Sequence, residues 1–175
     1  MDDHLAPYAD ILMLLRQWNE GLQQREAPQI HLLRQYEVTE IVEAMSAILV
    51  FAEAEMRLTA MEALPYIVPL EAMVDLLVPC LSDARSSIRW SICKLFGQYP
   101  DPRATLSMIE VLQSDENPHV RVVAADALCE IGDARALPAL LHAAEHDREK
   151  NYEGRTVAQA ASEAIASIKE RMKSS

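Results

Sequence analysis

A self-similar block recurs at a 32-residue period through three successive copies without a gap, and a period of that length restricts the chain to a stack of small, similar structural units. The segment DARSSIRWSICKLFGQYPDPRA, Asp83 to Ala104, superposes on DENPHVRVVAADALCEIGDARA, Asp115 to Ala136. The shift puts Asp83 on Asp115, Ile88 on Val120, Arg89 on Arg121, Leu95 on Ala127, Phe96 on Leu128, Asp101 on Asp133 and Arg103 on Arg135. One period earlier, Met56, Arg57, Ala63 and Leu64 fall in the same register. The last copy needs about five extra residues, which fall in the polar stretch His146 to Arg155 and lengthen a loop. Glu163, Ala164, Ile165 and Ile168 then match Asp126, Ala127, Leu128 and Ile131.

Within each copy the apolar residues follow the helical period, as at Val120, Ala124, Leu128 and Ile131, or Ile88, Ile92, Phe96 and Tyr99. Each repeat is therefore read as two helices. First helices are expected near 38–50, 70–81, 102–113 and 135–145, and second helices near 54–66, 87–98, 118–131 and 155–172. Asp115 or Asn117 can cap a helix that begins at Pro118, where the missing N–H costs nothing, and Gly132 closes it. Pro79 lies inside the expected helix 70–81 and should kink or end it. Half of the residues are hydrophobic, only 5% are aromatic and 4 are glycine, a balance that favours helices packed through small side chains.

The stretch DENPHVRVVAADALCEIGDARALPALL, Asp115 to Leu141, resembles the HEAT-like repeat of the phycobilisome-lyase type, and the likeness extends over Glu53 to Leu141. The resemblance implies an all-α fold, a right-handed α-α superhelix of about four helical pairs, in which the Asp before each second helix and the Arg within it form a ladder between repeats. Asp83 with Arg89 and Asp115 with Arg121 match that pattern. Phe51 stands at the Asp position of the first repeat and Ala158 at the Arg position of the last, so the ladder is not expected at either end.

Residues 1–37 do not join the repeat. Tyr8, Ile11, Leu12, Leu15, Trp18 and Leu22 recur at helical steps over about 8–26, and Pro28 starts a short helix carrying Ile30, Leu33 and Tyr36. These faces are expected to cover the open end of the stack, a partner-binding arm being the alternative, giving one domain over 1–175 with a cap at 1–37 and repeats at 38–175.

Sixteen Lys and Arg against 27 Asp and Glu leave a formal net charge of -11, and residues 1–52 share the deficit with 3 basic and 8 acidic groups. The average field repels nucleic acid. Cys80, Cys93 and Cys129 form no C-x-x-C pair and read as buried small hydrophobes in a reducing compartment. The N-terminus lacks a secretory pattern, and the apolar stretch Ile41 to Ala52, broken by Glu43 and Ser46, is too short to span a bilayer. A cytoplasmic protein without a membrane partner is expected.

His142-Ala143-Ala144-Glu145-His146 has the H-x-x-E-H form of inverted zinc peptidases. The register assigns His142 and His146 to the outer end of a first helix, opposite Glu110 and Ser114, and no convincing third ligand follows, so neither a metal nor a catalytic residue is assigned. No cofactor is expected, and no phosphate loop or G-x-S-x-G elbow occurs.

With Val120, Ala124, Leu128 and Ile131 turned inward, the positions of Val122, Asp126 and Glu130 project from the opposite side, which the resemblance to HEAT-like stacks implies is the concave surface. Across repeats these positions hold Leu58, Trp90 and Val122; then Glu62, Lys94, Asp126 and Glu163; then Tyr66, Gln98 and Glu130. An apolar row centred on Trp90 beside a mostly acidic row is the composition of a protein-binding surface, although Trp90 packed between second helices explains the same pattern. The expected function is a non-enzymatic binding scaffold or adaptor for a partner protein with a basic segment. The resemblance admits a bilin or tetrapyrrole lyase or chaperone-like helper as the alternative.

Overall fold

A computed structural model describes residues 3–23, 32–33 and 35–174. Pro28 and Ile30, and the side chain of Leu22, lie outside what is described. Among the described residues the regular structure is helical, with one isolated bridge between Lys150 and Thr156. Helices α1 (Ala9–Gln23), α2 (Val38–Phe51), α3 (Ala54–Ile67), α4 (Leu70–Leu77), α5 (Ser86–Gln98), α6 (Thr105–Ser114), α7 (Pro118–Ile131), α8 (Leu137–His146) and α9 (Val157–Ser174) follow in chain order. The helical pairs coincide with the 32-residue register. No described helix is long and apolar enough to cross a membrane.

The chain divides into two compact units, 1–80 and 81–175. In the first, α1 buries Ile11, Leu12, Leu14, Leu15 and Trp18 and packs on α3 and α2. Ile41, Ala44, Met45, Ile48 and Leu49 of α2, Ala60, Met61, Ala63 and Leu64 of α3 and Met73, Val74, Leu76 and Leu77 of α4 add to its core. Pro65 lies in the last turn of α3, where it has no N–H to give to the Met61 carbonyl one turn back. The α-helical path of α4 ends at Leu77, and Pro79 falls in the 3-10 segment Val78–Ser82 that follows.

The second unit is a two-layer stack. The second helices α5, α7 and α9 lie side by side, while α6 and α8 pack on α7 and α9 from behind. Helix α7 is central: Val120, Ala124, Ala125, Ala127 and Leu128 have no exposed surface, and its alanines let its neighbours approach closely. Gly132 caps α7 with φ -67, so left-handed backbone is not the reason for glycine here; an added Cβ would run first into the Leu128 carbonyl oxygen and then meet Ile168 Cδ1 at 2.9 Å. The turns before α6 and α8 repeat one device, in which Asp101 and Asp133 accept the N–H of Arg103 and Arg135 and also receive their guanidinium groups. Those hydrogen bonds hold both carboxyls below the usual carboxylate range.

The Asp–Arg ladder connects successive repeats. Arg89 donates from Nε to Asp115 Oδ2 at 2.7 Å and from NH2 to Oδ1 at 2.9 Å, while its NH1 reaches the Asp83 carbonyl at 2.7 Å. Arg121 repeats the arrangement on Asp147, at 2.7 and 3.3 Å, and on the Asp115 carbonyl at 2.8 Å. Each Arg thus takes the backbone of its own repeat's Asp and the carboxylate of the next. The expected end of the ladder is corrected on this point: Ala158 supplies no donor, but Asp147 supplies the acceptor of a further rung, which Glu149 extends at 2.7 Å. Asp147 lies one 32-residue period after Asp115, so the extra residues follow it and leave the rung in register.

Candidate functional site

The stack opens a cleft of about 720 Å³ between α5 and α7, closed at one end by the loop between α8 and α9. From α5 come Trp90, Lys94, Gly97 and Gln98; from α7 come His119, Val122, Val123, Asp126 and Glu130; from the loop come Asn151, Tyr152, Glu153 and Arg155. Trp90 is half-buried, with the Lys94 ammonium 5.1 Å from its ring centre. Lys94, Gln98 and Glu130 are exposed along the rim.

The lengthened loop is a built element. Asn151 Oδ1 accepts the N–H groups of Glu153 and Arg155 at 3.1 and 2.9 Å, and the Asn151 N–H returns to the Arg155 carbonyl at 2.9 Å. Gly154 adopts φ +84, a conformation that side-chain-bearing residues rarely take. Thr156 then caps α9, since its Oγ1 accepts the N–H of Gln159 while Gln159 Oε1 accepts the N–H of Thr156, a reciprocal capping box. At the tip, the Tyr152 N–H donates to His119 Nδ1 at 3.2 Å. The two rings lie 3.3 Å apart, and Tyr152 is 92% exposed.

Several expectations change. Val122 does not project outward with Trp90; it is 1% exposed, because α7 has α5 and α9 on its two sides and α6 behind. Asp126 and Glu163 are not free acidic groups, since the Arg155 guanidinium holds both, NH1 to Asp126 Oδ2 at 2.9 Å and NH2 to Glu163 Oε2 at 2.6 Å. Trp90, Lys94, Val122, Asp126 and Glu130 come together at the cleft. Leu58, Glu62 and Tyr66 belong to α3 of the first unit, where Leu58 is half-buried and Glu62 and Tyr66 are exposed. Of the cysteines only Cys93 is buried, and burial pushes its thiol up to about 12; Cys80 and Cys129 keep part of their surface.

The His142 and His146 rings stack 4.6 Å apart near the end of α8, with His146 Nδ1 on the His142 carbonyl at 3.0 Å. Among the described residues no group of three His, Cys, Asp or Glu could hold a metal. Protein equilibrated with zinc and dialysed is therefore expected to retain no stoichiometric metal. One zinc per chain, abolished in His142→Ala, would reverse that reading.

A stack of helical pairs with an internal Asp–Arg ladder and a cleft across its second helices defines a helical-repeat protein of the kind that presents extended binding surfaces. A family model described as HEAT repeats matches residues 74–162, and the chain belongs to that family. HEAT repeats commonly mediate protein–protein interaction and are typically non-enzymatic scaffolds. No curated protein matches the chain.

Proposed function

We propose that the protein is a non-enzymatic scaffold that takes a segment of a partner protein in the cleft between α5 and α7. The observation that carries this reading is the half-buried Trp90 set in a cleft that Tyr152, on a structured loop, extends beyond the repeat. Indole and phenol rings give large contact area for little lost side-chain freedom. Glu130 and Glu153 line the same cleft with no ion pair among the described residues, and the net charge of -11 adds a long-range pull on cations. A basic partner segment suits this surface and a nucleic acid backbone does not.

Affinity capture from the source cell with wild type, Trp90→Ala and Leu106→Ala in parallel tests the reading. Leu106 is the control, being 60% exposed on α6 outside the cleft. A partner held by wild type and Leu106→Ala and lost with Trp90→Ala is expected. Equal retention by all three, or loss with Leu106→Ala alone, would place the binding surface elsewhere.

A further inference from the structure

Arg155 sits on the acidic side of the cleft as an incoming arginine would. Its NH1 and NH2 face Asp126 Oδ2 and Oδ1 at 2.9 and 2.8 Å, and NH2 also reaches Glu163 at 2.6 Å. This two-pronged grip on one carboxylate, shared with a second, is a geometry a planar guanidinium makes and an ammonium cannot. The side chains involved are open to solvent, at 30% for Arg155, 41% for Asp126 and 63% for Glu163, so a competing cation can reach them. The aromatic face of Trp90 likewise carries a cation of the chain itself, Lys94. The guanidinium site and the aromatic face are thus both occupied internally, whereas Glu130 and Glu153 on the same cleft carry no ion pair among the described residues.

We propose that the cleft reads an arginine of the partner segment, which replaces Arg155 on Asp126 and Glu163, so that the α8–α9 loop acts as a built-in competitor. This rests on the cleft being the partner site. The exchange trades one guanidinium for another and is close to balanced, which makes wild-type binding weak and selective. A lone basic residue gains little against the tethered Arg155. A segment that also places an apolar side chain on Trp90 displaces it. Without Arg155, two neighbouring carboxylates face each other with no shared cation, and an arginine-bearing segment relieves their repulsion.

The test uses the full chain and two probes, a peptide of about ten residues with arginines flanking a leucine and its lysine counterpart, followed by the indole N–H resonance of Trp90 with that of Trp18, buried in α1, as reference. Arg155→Ala is expected to bind the arginine peptide about tenfold tighter than wild type, and the lysine peptide to gain less than about threefold. Adding Asp126→Asn should remove the gain. Arg155→Lys, which keeps the charge without the fork, should fall between, and it decides the matter if Arg155→Ala loses its cooperative melting. If the arginine peptide shifts Trp90 but binds Arg155→Ala no tighter than wild type, or the lysine peptide gains equally, the competitor role is wrong while the cleft stands. If neither peptide moves Trp90 in any variant, both readings fall.

Discussion

Replacing Arg89 by alanine is expected to destabilise the second unit by about 3–5 kcal/mol, the cost of breaking a buried ion pair from one side. The Arg89 side chain is 9% exposed and that of its partner Asp115 is 4% exposed. The hydrogen bonds to Asp115 and its charge raise the Arg89 guanidinium above its ordinary value in spite of burial, so deletion removes a fully engaged cation. Among the described residues Asp115 would keep the Asn117 N–H, at 2.8 Å, and the Asp83 carbonyl would lose the Arg89 guanidinium. Arg121→Ala should cost less, about 1–3 kcal/mol, because Asp147 and Glu149 are 19% and 63% exposed and water can replace part of what is lost. Chemical denaturation of both variants checks the order. A change within about 0.5 kcal/mol for Arg89→Ala would mean that the ladder does not hold the repeats together, and a larger loss for Arg121→Ala would mean that burial does not set the strength of its rungs.

The second large effect belongs to Trp90. Truncation to alanine should weaken partner binding by about 2 kcal/mol or more, roughly thirtyfold, as expected for an aromatic anchor at the centre of a contact. The fold should persist, because Trp90 is half-buried and Ile88, Ile92, Cys93 and Phe96 supply the buried face of α5. Titration of the purified partner gives the first quantity and denaturation the second. A stability loss of about 3–5 kcal/mol would instead class Trp90 as core, and the binding surface would have to be sought elsewhere on the stack.

The helical pairs were legible because apolar spacing and the 32-residue period reinforce each other: a residue needed inside one copy is needed inside the next. Pro118 and Asn117 marked the start of α7 for the same local reasons that operate in the structure. The cleft was legible only in part. Trp90, Lys94, Asp126 and Glu130 could be assigned to one face by counting along helices, but counting treats every second helix alike. Val122 occupies the register of Trp90 in a helix flanked on both sides, and there burial overrides position. Asp126 and Glu163 read as an open acidic row because their cation, Arg155, comes from the segment that breaks the period. The same break hid Tyr152 and its contact with His119. One signal was available: Asp147 stands one period after Asp115, which locates the inserted residues after it, next to the second-helix face.

Site-specific photo-crosslinking to the captured partner tests the central claim most directly, with the reactive side chain placed at position 98 on the cleft rim or at position 110 on α6, both exposed. A partner bound along the second helices will crosslink from position 98 and not from position 110. Crosslinks from position 110 in the absence of any from position 98 would show that the outer helices, and not the cleft of Trp90, carry the partner.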